Sequence, residues 1–273
     1  MTIRIGHSPD SDDAFMFWGL ASGYVESDLE FEHILKDIQT LNEWALEGRL
    51  ETTAVSVHAY PKIADRYAIM RHGGSFGEDY GPMIVSREPL SHESLRNTCI
   101  AVPGRLTSAF LALNLYLPDP KFEVVPFDQI LPEVVNGRFD AGLIIHEGQL
   151  TYGREGLHLV EDLGKWWKKE TNLPLPLGVN VVRKDLGPEI VAEIDRCMEV
   201  SIRAGLENRQ KALDYALQFA RGMDVETSDE FVGMYVNDRT LDMGEEGMAA
   251  IRLFLKKGQE IGMVADIEPE FVD

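Results

Sequence analysis

A chain of 273 residues with 44% apolar side chains is long enough for two packed lobes of ordinary domain size. Its net charge of −20 excludes partners that need a basic footprint, nucleic acid and anionic membrane surfaces, and requires any anionic ligand to be held by local positive potential against the overall field. The densest apolar run, residues 14–21, is shorter than the ~20 residues of a membrane-spanning helix, and the opening residues lack the apolar stretch of a secretory signal, so a soluble cytoplasmic protein is expected.

Hydrophobic periodicity predicts a strand over residues 3–7, a helix over 13–21, a strand over 29–35 and a helix over 41–47. The alternation continues with a strand over 53–57, a strand over 100–102, a helix over 108–116, a strand over 122–126, a helix over 129–136 and a strand over 141–145. This is an α/β pattern, mostly parallel sheets flanked by helices. From Glu189 onward the pattern becomes successive helices with breaks near Asn208, 222–224 and 237–244, and the tail after Val264 is irregular. There is no Gly/Ser-rich or Pro-rich linker and no internal repeat. Two extended segments, 80–87 and 175–184, bracket the middle block, so a smaller lobe of residues 88–177 is expected as an insertion into a larger one of 1–87 plus 178–273, with a ligand cleft between them. Cys99 and Cys197 lack metal or redox spacing and read as buried, reduced thiols.

Residues that follow strands are the ones a cleft would use. In His7-Ser8-Pro9-Asp10-Ser11-Asp12-Asp13, Asp10 reads as a helix cap, while Asp12 and Asp13 complement the helix dipole at ~0.3–1 kcal/mol each. The glycine and distal glutamate of an EF-hand loop are missing, so no metal is expected. Capping explains His7 and Ser8 less well, and His7, Ser8 and Asp10 are taken as candidates to contact the substrate. In Ser56-Val57-His58-Ala59-Tyr60-Pro61, Ser56 and His58 either contact a ligand or serve as a cap and a backbone partner. In Pro103-Gly104-Arg105-Leu106-Thr107-Ser108, Gly104 permits close backbone approach, Thr107 and Ser108 offer hydroxyls, and first-turn amides gather positive potential: an anion site, or an ordinary capped turn. In Asp140-Ala141-Gly142-Leu143-Ile144-Ile145-His146-Glu147 an apolar strand delivers His146 at its carboxyl end, as a proton acceptor or as a satisfied structural histidine. His33, His92 and His158 are expected to face solvent.

Taken together, His7-Ser8-Pro9-Asp10-Ser11-Asp12-Asp13-Ala14-Phe15-Met16-Phe17, Ser56-Val57-His58-Ala59-Tyr60, Gly104-Arg105-Leu106-Thr107-Ser108-Ala109 and Ile144-Ile145-His146-Glu147-Gly148-Gln149 resemble the 1,4-dihydroxy-6-naphthoate synthase family over nearly the whole chain, less distinctively after about Asp185. The resemblance implies a type II periplasmic-binding-protein-like fold used inside the cell as a lyase of the futalosine route to menaquinone. It implies cyclic dehypoxanthine futalosine as substrate, no metal or organic cofactor, and His146 as base, with Ser56, Thr107 and the Ser108 amide holding the substrate and its carboxylate. Two alternatives share the fold: chorismate dehydratase of the same pathway, disfavoured by the His-Ser-Pro-Asp opening and His146, and a non-catalytic solute-binding protein, disfavoured by the missing export signal. The oligomeric state is left open.

Overall fold

The computed structural model of the chain describes residues 1–220 and 224–272. The chain opens with β1 (Thr2–His7), α1 (Ser11–Met16), α2 (Trp18–Ala21), β2 (Glu30–Leu35), α3 (Ile38–Glu47) and β3 (Thr52–Ser56). A 3-10 segment (Val57–Lys62) then leads to β4 (Tyr67–Ile69), β5 (Ser75–Gly77) and β6 (Met83–Ser86). The middle holds α4 (His92–Leu95), β7 (Ile100–Val102), α5 (Ser108–Tyr116), β8 (Phe122–Val124), α6 (Phe127–Val135), β9 (Ala141–Ile144), α7 (Gly148–Thr151), β10 (His158–Asp162) and α8 (Leu163–Thr171). After β11 (Leu175–Arg183) come α9 (Pro188–Glu207), α10 (Arg209–Ala216), α11 (Val225–Tyr235), α12 (Asp238–Leu241) and α13 (Gly244–Glu260).

The strands form two sheets. One runs β2-β1-β3-β11-β4, with β5 also paired to β11, and the other runs β10-β6-β9-β7-β8. Pairing is parallel where strands alternate with helices, β1 with β2 and β3, and β7 with β8 and β9. It is antiparallel where β6 joins β9 and β10 and where β11 joins β3, β4 and β5. β6 hydrogen-bonds into the second sheet, so the division between sheets falls before it and not after residue 87.

Local chemistry accounts for the element ends. α3 starts where the Asp37 carboxylate accepts from the Thr40 amide at 3.0 Å and stops at Gly48, whose φ of 68° is the left-handed conformation glycine adopts without strain. The helix expected over 13–21 is broken at Phe17, and the expected helix break at 222–224 falls largely outside the described residues. One apolar core joins the sheets through Val55, Tyr60, Ile84, Ile100 and Leu111, with Phe254 of α13 closing it. A second packs α1 and α9 over β1. Cys197 is buried as expected, but Cys99 is exposed, because it precedes β7 instead of lying within it.

Candidate active site

A cleft enclosing about 790 Å³, its open mouth included, lies where the carboxyl ends of β1, β3 and β9 meet α5, β11 and α11. Of the residues singled out from sequence, Ser8, Ser56, Thr107, Ser108 and His146 line it. Asp10 stands directly behind the wall.

His146 is the chemical centre. It follows β9 with a φ of 61°, a left-handed conformation that costs a non-glycine residue on the order of 1 kcal/mol and that turns the chain sharply at the strand end. Its Nδ1 is 2.8 Å from Asp10 Oδ2, with the imidazole 16% and the carboxylate 1% exposed. The Asp10 carboxylate therefore does not cap α1, although the Asp10 carbonyl accepts from the Ala14 amide at 2.9 Å; the carboxylate is turned toward the imidazole and toward the Ser8 hydroxyl, which donates to it at 2.7 Å. Asp13 instead accepts from the Ser8 amide at 2.6 Å, holding the loop that carries Asp10. Burial pulls the His146 imidazole toward neutrality. The Asp10 carboxylate, through charge and hydrogen bond, with help from Glu147 and Asp12, outweighs it and pushes the imidazole up to about 9. The Nε2 atom is buried and has no hydrogen-bond partner among the described residues. A carboxylate that fixes one ring nitrogen while the other stays free at a cleft is the geometry of an oriented proton acceptor.

The neighbouring carboxyls are perturbed in the same direction. Burial, then the negative charges around it, raises Asp12 well above the usual carboxylate range, and burial holds Asp13 up to about 6. Both shifts favour the uncharged carboxyl, so this end of the cleft disfavours further negative charge.

The opposite end supplies donors. Asn42 donates to Ser56 Oγ at 3.0 Å and accepts from the Ser56 amide at 2.8 Å, which fixes Ser56 while leaving its hydroxyl proton for the cleft. Thr107 caps α5, accepting from the Phe110 amide at 3.2 Å, and its own proton goes to the Gly104 carbonyl at 2.9 Å. Its hydroxyl thus shapes the turn. The Ser108 hydroxyl is committed to the Leu177 carbonyl at 2.5 Å, whereas the Ser108 and Ala109 amides donate to no protein acceptor among the described residues. Those first-turn amides with Ser56 make a carboxylate-sized donor set.

Besides Asp10, three of the expected residues do not line the cleft. His7 stacks on Phe17 at 4.2 Å between ring centroids and spends both ring nitrogens, on the Ser8 carbonyl and on His33, each at 3.0 Å. His33 is consequently half-buried as its partner and does not face solvent. His58 has Nδ1 3.2 Å from the Thr107 carbonyl and braces α5 from behind. Gly104 serves protein packing: a Cβ there would come within 2.2 Å of Gln39 Oε1, which accepts from the Leu106 amide. Arg105 lies over the Phe122 ring at 5.1 Å. Sequence reasoning missed Gln149, Asn180, Phe231 and Tyr235, all of which line the cleft. Tyr235 donates to Gln149 at 2.8 Å, tying α11 to α7. The spacing of Phe231 and Tyr235, one helical turn apart on one face, was the available signal; for Asn180 it was a lone amide in a valine-rich strand.

The overall architecture is that of ligand-binding proteins of transport systems. An alkanesulfonate-binding protein from Xanthomonas axonopodis pv. citri aligns with a TM-score of 0.72 at 12% identity over 97% of this chain and 94% of its own, a likeness of fold alone. The chain belongs to the menaquinone biosynthesis family, whose pattern matches residues 3–260. Proteins named 1,4-dihydroxy-6-naphthoate synthase from Thermus thermophilus and Streptomyces coelicolor are 42% and 34% identical to it, covering 96% and 98% of this chain and 96% and 97% of theirs. A crystal structure of an Archaeoglobus fulgidus protein aligns with a TM-score of 0.93 at 43% identity, over 96% of this chain and 98% of the other.

Proposed function

We propose that this chain is a 1,4-dihydroxy-6-naphthoate synthase, a carbon–carbon lyase that converts cyclic dehypoxanthine futalosine to the naphthoate. The observation that carries the reading is the Asp10–His146 pair with Nε2 unpartnered at the cleft; the two similarly named relatives support it. The substrate carboxylate sits on the Ser108 and Ala109 amides and the Ser56 hydroxyl. At the other end Nε2 takes a hydroxyl proton, and the oxygen's electron pair forms a carbonyl as the adjacent carbon–carbon bond breaks. The electrons of that bond enter the ring system, whose aromatisation drives the step. The reading includes a cytoplasmic reaction that needs no metal or organic cofactor.

The purified protein incubated with cyclic dehypoxanthine futalosine, and separately with chorismate, tests it by mass spectrometry of the products. Appearance of the naphthoate from the first is the expected result. Dehydration of chorismate, or binding of the futalosine with no product, overturns the reading.

The same proposal treats residues 1–87 with 178–273 and residues 88–177 as two lobes that close on substrate. Membership of the two sheets supports a two-lobed chain, with one crossing before β6 and the other before β11, which moves β6 into the smaller lobe and all of β11 into the larger. Solution scattering should show a smaller radius of gyration with saturating naphthoate, and an unchanged radius counts against closure.

A further inference from the structure

We infer that Asn180 reads a hydroxyl of the ligand at the end of the cleft remote from the carboxylate, and so selects among carboxylates of similar size; this rests on the synthase reading and adds a specificity contact to it. Asn180 lies in β11 between Val179 and Val181, is 2% exposed and lines the cleft. Its Nδ2 donates to the Gly73 carbonyl at 2.9 Å. A carbonyl oxygen only accepts, so this contact fixes which end of the amide faces which way. Oδ1 is left buried with no protein donor among the described residues. A buried acceptor without a donor is disfavoured, and an O–H on a ligand is the group that relieves it. Gly73 belongs to the device: its φ is 81°, and a Cβ there would come within 2.4 Å of Nδ2.

The register of β11 against β3 puts this acceptor at a defined distance from the anion end. Gly178 is opposite Ser56, and Asn180 is opposite Ala54. The Leu177 carbonyl holds the Ser108 hydroxyl, so the donor set lies at the start of β11. Asn180 is two residues beyond Gly178 on the same face, ~7 Å along the strand, which is on the order of the span of a fused pair of six-membered rings. A bicyclic carboxylate seated on α5 therefore brings the oxygens of its far ring to Asn180.

Calorimetric titration under anaerobic conditions, with 2-naphthoate (carboxylate, no hydroxyl) and 1,4-dihydroxy-6-naphthoate (carboxylate and hydroxyls), tests the inference on wild type and Asn180→Ala. Wild type should prefer the dihydroxy compound by about tenfold or more, and the variant by less than about threefold, with 2-naphthoate binding unchanged. That unchanged binding also establishes that the variant is folded. An undiminished preference in Asn180→Ala overturns the inference, as does equal weakening of both ligands, which would make Asn180 structural. Independently of any substitution, replacing the hydroxyls by methoxy groups should abolish the wild-type preference, and its retention is equally fatal. Failure of wild type both to turn over the futalosine and to bind either naphthoate sinks the synthase reading and this inference with it; turnover with an undiminished preference sinks the inference alone.

Discussion

Replacing Asp10 with asparagine isolates what the carboxylate does for His146. The side chain keeps its shape and an acceptor for the Nδ1 proton but loses its charge. Raising the imidazole from 6.5 to about 9 corresponds to roughly 3 kcal/mol in favour of the protonated ring. In the free protein at pH 7 about 1% of the imidazole is then neutral and able to accept a proton, so kcat/KM should climb about tenfold per pH unit and level off near pH 9. In Asp10→Asn burial dominates, and the limb should fall to within about one pH unit of an ordinary imidazole, with a plateau about 10- to 100-fold lower because the base is weaker and less firmly oriented. At neutral pH these changes oppose one another, so a single-pH rate is uninformative and the full profile of kcat/KM is the assay. Coincident limbs in wild type and variant, or a wild-type limb near 6.5, would refute the role assigned to Asp10.

His146→Asn should lower single-turnover rates by about 10²–10⁴ and leave substrate affinity within about threefold, with the acid limb gone; turnover within tenfold of wild type would move the base elsewhere. Thr107→Val removes the cap of α5 while keeping shape, so urea unfolding should show a loss of ~0.5–2 kcal/mol together with weaker substrate binding, and unchanged stability would contradict the cap. Burial, then the neighbouring His33, lowers His7 to about 3, below its unfolded value of 6.5. Its contribution to stability is therefore complete above pH 6.5 and lost as pH falls from there toward 3, at up to ~1.4 kcal/mol per pH unit. His7→Gln should flatten that part of the urea-midpoint profile; an unaltered slope would assign acid sensitivity to other groups.

Much of this layout was legible because local signals and tertiary structure agree. The helix expected over 108–116 is α5 residue for residue, since Thr107 caps it as its position suggested. β4, β5 and β10 escaped, two of them only three residues long and the third half-exposed, with too little alternation to register. His146 could be picked from its place after an apolar strand, but its partner could not: nothing in the spacing of residues 10 and 146 signals that they touch. Asp10 looked like a cap because its backbone has a cap's extended conformation, and only the folded geometry reveals that its carboxylate faces the other way. His7 and His58 show the converse, polar residues at strand ends that the fold consumes internally.

Asp10 leaves β1 of one sheet and His146 leaves β9 of the other, so the pair exists only while the two halves are together. The basicity of the imidazole therefore depends on the packing between the two sheets and not on either sheet alone. A substitution far from the cleft that loosens that packing weakens the base without touching it.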